Sequence, residues 1–334
     1  MKKMRKYVSA ALALTMAASM MVCTSASAEE SVSLVYAEVN PEDSLMGQTA
    51  NAFKEKVEEL TDGSVTVDIQ YSGVLGDEAT VLDSMIGGTG AVDIARVATF
   101  SLTNYGATRT TLLSIPYTFA GRDHFWSFAA SDLGAEILAE PSEVGLGIKG
   151  MFYVEEGFRH FFTKDEVTGM ADLAGKKLRV SNDPLMNGMV EGLGASPTVV
   201  AFNELYSSLQ TGVVDGAEQP IVNYQSNAFN EVAPYMIKDG HTLGCAEVLI
   251  TEAALAKLSD EQIAAVEEAG KYASEFNAGL SEQIENECIK ELEEAGVTFV
   301  EVTDLTEWQD ACADLITEYT KGFEEDYQAI QDMK

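Results

Sequence analysis

Positive charge is scarce in this chain: among 334 residues, 21 lysines and arginines face 54 aspartates and glutamates, a formal net charge of −33. That balance argues against nucleic acids and anionic membrane surfaces as partners, because both would be repelled. Histidine is rarer still. His124, His160 and His241 stand isolated, which makes no metal set and leaves little for a catalytic triad. No Gly-x-Ser-x-Gly word occurs, so a secreted hydrolase remains only as an alternative built on paired carboxylates that sequence cannot locate. Of four cysteines, Cys245, Cys288 and Cys312 lie beyond the first thirty residues. Their spacing suits no zinc site; Cys288 and Cys312 pairing stays open, but free buried thiols fit better. Prolines number seven, 46% of residues are hydrophobic, and neither a low-complexity tract nor a tandem repeat appears. A compact folded product is expected.

Long apolar runs are also lacking, with one exception at the start. Val8 to Val22 is apolar, yet short of the roughly twenty residues a membrane span needs. Lys2, Lys3, Arg5 and Lys6 precede it and Ala26-Ser27-Ala28 follows, the pattern of a secretory signal over residues 1–28. The mature chain is therefore expected outside the cytoplasm, periplasmic or otherwise extracytoplasmic. Cys23 offers a second reading, a lipoprotein anchor, although Met20-Met21-Val22 before it lacks the usual small residue; cleavage after Ala28 is favoured. Losing the four leader cations takes the charge from −33 to −37. About three hundred remaining residues suggest two lobes rather than one core.

The chain is organised around Ala171 to Gln225. Lys176 to Ser181 alternates, with Leu178 and Val180 on one face and Lys177 and Arg179 on the other, the period of a half-buried strand. Asp183-Pro184 supplies an N-cap and a proline at the first helical position. Ser196 to Ala201 reads as a second strand, Asn203 as the cap of a helix carrying Leu205, Tyr206 and Leu209, and Gly212 as its stop. A β-α-β-α unit implies a parallel sheet, and ligands of such sheets bind at the carboxyl ends of strands. Arg179, Asn182 and Phe202 sit there. Beyond the leader only Arg96, Arg109, Arg122, Arg159 and Arg179 occur, so an arginine at a strand end suggests bidentate capture of a carboxylate or phosphate. A surface ion pair is the plain alternative.

The words Leu173-Ala174-Gly175-Lys176-Lys177-Leu178-Arg179-Val180-Ser181, Leu193-Gly194-Ala195-Ser196-Pro197 and Phe202-Asn203-Glu204-Leu205-Tyr206, running on to Asp215-Gly216-Ala217-Glu218-Gln219-Pro220, resemble the signature of the DctP-type solute-binding proteins of TRAP transporters. Those are the extracytoplasmic receptors of tripartite, ATP-independent carboxylate uptake systems. The resemblance implies an α/β, two-lobed architecture like that of periplasmic binding proteins. Each lobe would hold a mostly parallel sheet with flanking helices, and a long C-terminal helix would span both. It further implies a small-molecule carboxylate as ligand, the small and large membrane permease subunits as partners, no cofactor and no enzymatic activity. A two-lobed receptor for an ATP-driven or sensory system is the runner-up.

The remaining chain fits that outline. Ser33 to Val39, Val65 to Tyr71 and Val92 to Ala98 read as strands, and Leu45 to Leu60 and Ala79 to Ile86 as helices. Asn40 stands at a strand's end where the resemblance places a ligand contact, or is simply a helix-entry asparagine. Glu78 lines the cleft in some relatives, though a first-turn glutamate also suits the helix dipole. Thr99, Ser101 and Asn104 offer hydroxyls and an amide at a crevice edge. Gly145 to Gly150 spells G-x-G-x-x-G, but it precedes a strand and so is no dinucleotide loop. Gly157-Phe158-Arg159 resembles the family's Gly-x-Arg word after the first crossover, making Arg159 a second carboxylate-side contact, while His160 would face away. Gln219 replaces the family's usual asparagine, with its amide one methylene further out, and Asn223 follows about a turn later. His241 to Thr251 reads as a strand crossing back. Ser259 to Gln262 opens a long helix to about Ala295 as a capping box, followed by a strand over Val297 to Val302 and a last helix through Phe323. The expected lobes are 29–154 plus 242–283 and 155–241 plus 284–334. Which carboxylate is bound is not legible.

Overall fold

The computed structural model describes residues 31–334, so the leader and Cys23 lie outside the described residues. Its first half follows the expected rhythm: β1 (Val32–Ala37), α1 (Leu45–Leu60), β2 (Val65–Gln70), α2 (Glu78–Ile86) and β3 (Ile94–Ala98). Both helices start on side-chain caps, Ser44 accepting from the Gly47 N–H and Asp77 from that of Thr80, which satisfies donors a helix start otherwise leaves open. After tight turns come α3 (Arg122–Ala129), α4 (Asp132–Glu143) and β4 (Ile148–Thr163).

The second half runs β5 (Lys177–Val180), α5 (Pro184–Gly192), β6 (Ser196–Val199), α6 (Leu205–Thr211), β7 (Gly216–Pro220) and α7 (Ile221–Ser226). Asp183 caps α5 with Pro184 at its first position, and Gly212, at φ 77°, closes α6. Asn203 is not a cap. A 3-10 turn over Phe202–Glu204 absorbs it, and α6 begins without a side-chain cap. Then follow β8 (Tyr235–Thr251), α8 (Glu252–Leu255), α9 (Asp260–Glu294), β9 (Thr298–Glu301), α10 (Thr306–Tyr319) and α11 (Glu324–Gln331). Helix α11 lies past the expected end at Phe323. It is tied to residues far upstream, Arg109 donating to Asp326, and Gln331 to the Thr118 carbonyl.

Among the described residues nine strands form one sheet, ordered β2-β1-β3-β8-β4-β7-β5-β6 with β9 beside β8. Pairing is parallel within the β2-β1-β3 and β7-β5-β6 trios. It is antiparallel between β3 and β8, β8 and β4, and β4 and β7, while β9 runs parallel to β8. The two long strands therefore carry the chain from one parallel trio to the other. The sequence reading starts the second of them only at His241; in the structure Gly157 and Gly240, with positive φ values of 88° and 54°, are irregular points inside the strands rather than strand ends. The β4–β8 register shifts between Glu155 and Phe158 and again between Arg159 and Phe161.

Helix α9 has 35 residues and so is about 52 Å long. Its Ser259–Gln262 capping box is formed as the sequence predicts. Val266, Ala269 and Ala273 pack with Phe53 of α1 and Phe152 of β4, while Cys288 and Leu292 reach Val222 and Tyr224 of α7, so one helix touches both halves. Gly270 permits the close approach: a Cβ there would lie 2.7 Å from the Phe152 ring. Buried Asn277 accepts from the Glu155 N–H at 2.8 Å and donates to the Glu155 carbonyl at 3.1 Å, pinning the helix to β4 beside its bulge. Cys245, Cys288 and Cys312 are free and buried. Among the described residues no helix is long and apolar enough to cross a membrane.

Candidate functional site

The carboxyl ends of β1, β3, β5, β6 and β7 converge on one cleft of about 440 Å³. Asn40, Glu78, Arg96, Phe100, Ser101 and Asn104 form one wall; Arg179, Asn182, Phe202, Gln219 and Asn223 form the other; Glu156 and Arg159 of β4 lie between. The cleft thus sits where β4 and β8 cross from one trio to the next.

Arg179 is only 2% exposed. Its Nε donates to the Val200 carbonyl at 2.8 Å, and its guanidinium lies 5.9 Å from the centre of the Phe202 ring. These contacts fix the plane of the group. Its buried Nη1 has no hydrogen-bond partner among the described residues. Burial pushes the guanidinium down to about 10, although Glu218 draws it up, so it stays charged at neutral pH. A buried cationic donor without an acceptor is costly unless something fills the place. An incoming carboxylate supplies both charge and acceptor.

Arg159 is held differently. Its Nε and Nη2 fork onto the two oxygens of Glu218, at 2.5 and 2.8 Å, and Phe100 lies 5.5 Å beneath it. Glu218 is in turn 3.5 Å from His241, whose other nitrogen is 2.6 Å from Asp239. Burial alone would raise the Glu218 carboxyl, but Arg159 and His241 outweigh it and hold the group down at about 2. Burial would likewise discharge His241; Asp239 and Glu218 instead lift it to about 9. His160 does face away from the cleft, accepting from the Gly240 N–H, and burial pushes it down to about 4.

The other expected residues divide. Gln219 and Asn223 are buried in the lining, and the Asn223 Oδ1 has no partner among the described residues. Asn40 lines the cleft and accepts from Asn227, just past the end of α7, at 3.1 Å. Asn182 lines it too, its carbonyl accepting from Asn104 at 2.6 Å, a direct link between the walls. Glu78 lines the cleft but is engaged on both oxygens, by Arg96 at 2.9 Å and by Ser101 at 2.7 Å. Thr99 departs from expectation. Its hydroxyl is fully buried against Ser114, 2.9 Å away, and it is not among the lining residues. The chain turns inward at Ala98, and Phe100 and Ser101 take the edge instead.

Sequence reasoning missed Arg96 and Glu156. Arg96 is 3% exposed, sends Nε and Nη2 to Glu38 and Nη1 to Glu78, and lies 3.2 Å from Glu156. Burial pushes it down, yet these three carboxylates outweigh that and leave it above its ordinary value. Burial raises Glu156 despite Arg96 and Arg159. The rarity of arginine was the one signal for Arg96, and proximity to the Gly-x-Arg word the one for Glu156. Three arginines thus offset the local carboxylates inside a strongly acidic chain. Among the described residues no group of side chains is suited to hold a metal.

Fold and cleft together define a two-walled receptor for a small solute. The chain belongs to the bacterial extracellular solute-binding protein family 7 (DctP), whose profile matches residues 36–322. A solute-binding protein of Roseobacter denitrificans is 35% identical over 264 residues, 79% of each chain. The crystal structure of a TRAP periplasmic solute-binding protein from that organism, with bound L-galactonate, matches with a TM-score of 0.84 and 31% identity over 90% of this chain and 99% of that one. One from Pseudomonas putida F1, with bound D-glucuronate, matches with a TM-score of 0.86 and 25% identity over 90% and 96%. The protein is a periplasmic solute-binding receptor of the TRAP class, not an enzyme.

Proposed function

We propose that this receptor closes around an organic acid anion and presents it to the small and large subunits of a TRAP membrane permease for ion-gradient-driven uptake. The ligand carboxylate pairs with Arg179 through the open Nη1 and takes further donors from Arg159 and Gln219, while Phe202 packs its carbon skeleton. The observation that carries this reading is the unpartnered Arg179 Nη1 in a cleft wall. Asn40, Asn182 and Asn223 supply polar contacts from both walls. Glu78 acts through Arg96 rather than on the ligand. The D-glucuronate and L-galactonate held by the two solved relatives are both acids of this kind.

The lobes that move are 29–154 plus 242–283 and 155–241 plus 284–334, with α11 bridging them through Arg109 and Thr118. Ligand favours the closed arrangement because only that state makes all contacts at once. The leader is removed after Ala28 and Cys23 goes with it. A mass of the mature protein carrying a lipid would refute that step. A thermal-shift screen against an organic-acid library tests the function itself, since a ligand at a hundred times its dissociation constant adds about 2.7 kcal/mol. No stabilisation by any acid would refute it.

A further inference from the structure

The cleft and the layer directly behind it hold more negative charge than their arginines neutralise. Three guanidiniums, those of Arg96, Arg159 and Arg179, stand with four carboxylates, those of Glu38, Glu78, Glu156 and Glu218. Asp77, at the rim, is taken up in capping α2, accepting from the N–H and hydroxyl of Thr80. An anion held by Arg179 adds one more negative charge to this set. In a partly desolvated site that addition is costly, and a carboxylate that takes up a proton offsets it.

Which carboxylate gives way follows from how each is held, because hydrogen bonds to the charged form keep a carboxyl ionised. Glu218 receives the Arg159 fork. Glu38 receives Nε and Nη2 of Arg96 together with the main-chain and side-chain N–H groups of Asn40. Glu78 receives Nη1 of Arg96, the Ala98 N–H and the Ser101 hydroxyl. Glu156 is served least. Its Oε1 lies 3.2 Å from the same Arg96 Nη1 that donates to Glu78, an ion-pair contact without a hydrogen bond. Glu156 is also 2% exposed. Burial raises its carboxyl, Glu78 and Glu38 add to the rise, and Arg96 and Arg159 oppose it.

The other titratable groups around it are spoken for. On β8, burial pushes the Cys245 thiol well up and keeps it neutral. Glu155, next along β4, is engaged by Arg122 and the Gly157 N–H. His241, behind Glu218, is lifted to about 9, so at neutral pH it already carries its proton and has none to take up.

We infer that anion binding in this cleft is coupled to the uptake of a proton by Glu156, so that the receptor loads its ligand together with a proton. This rests on the reading that Arg179 takes a carboxylate. The proton comes from solvent and adds to the Glu156 carboxylate; no bond to the ligand is made or broken. The loaded state then binds more protons than the free one, so affinity falls as pH rises, by at most about tenfold per pH unit for one proton.

Calorimetry of the full mature chain with D-glucuronate at pH 7, in phosphate and in Tris, tests the coupling. These buffers differ in ionisation heat, so the dependence of binding enthalpy on buffer counts the protons exchanged. Wild type should take up about half to one proton per ligand, and Glu156→Gln close to none. Binding with the same enthalpy in both buffers would overturn the inference while leaving the Arg179 reading intact. Undiminished uptake in folded Glu156→Gln would put the proton elsewhere and overturn it too. Should that variant fail to fold by circular dichroism, wild-type Kd values between pH 6 and pH 8 decide: a rise with pH supports the coupling and a flat profile refutes it. Failure of wild type to bind the acid would count against the carboxylate reading and this inference together.

Discussion

Replacing Arg179 by lysine keeps the charge and removes the fork, so it isolates the geometry on which recognition rests. The Nε bond to the Val200 carbonyl and the open Nη1 sit on one rigid plane, with Phe202 alongside. An ammonium can occupy one of these places at a time. Losing one hydrogen bond to a charged partner costs about 1.5–3 kcal/mol, which is roughly a 10- to 150-fold rise in Kd. Charge itself should survive. Burial pulls the arginine down to about 10, and the same burial would lower a lysine's ammonium from its ordinary value of about 10.4. The variant should therefore be mostly cationic at pH 7 and lose more affinity by pH 8.5 than wild type does. Isothermal titration with D-glucuronate at the two pH values reads both effects, with the melting temperature as a control for folding. Unchanged affinity in a folded Arg179→Lys protein would refute the assignment of this guanidinium. Removing the charge altogether in Arg179→Gln should cost roughly 3–5 kcal/mol, because a desolvated carboxylate is then left unpaired.

Three further outcomes are expected. Asn277→Ala strips both buried Glu155 backbone groups of their partner and should lower unfolding free energy by about 2–4 kcal/mol, read from urea midpoints; a change below half a kilocalorie would contradict the tether. Thr99→Val should cost about 1 kcal/mol of stability yet leave D-glucuronate affinity within twofold, since its hydroxyl serves Ser114 rather than the cleft. His241 holds its proton up to about 9 in the fold against 6.5 outside it, so its contribution is complete below pH 6.5 and declines as pH rises towards 9. Denaturant midpoints between those values should fall for wild type and flatten for His241→Gln; parallel slopes would show that another group is responsible.

Local chemistry made much of this architecture readable. Asp183-Pro184, Gly212 and the Ser259–Gln262 box each act within a few residues, and all three mark helix ends where expected. Arg179 was legible for a similar reason, being one of only five arginines beyond the leader and standing near the end of an alternating run. What stayed hidden is long-range. The partners of Arg96 stand 58 residues before it in Glu38 and 18 before it in Glu78, and no period in the sequence links them. Thr99 looked like an edge hydroxyl because polarity alone cannot say which way a turn after a strand will fold. The unbroken length of β4 and β8 was hidden by glycines, which punctuate loops and bulges alike.

Those two strands have a mechanical corollary. The walls of the cleft are joined by hydrogen-bonded ribbon rather than by slack connectors, and α9 runs alongside as a splint pinned at Asn277. Gaping therefore means twisting a sheet, which resists like a torsion bar and springs back when released.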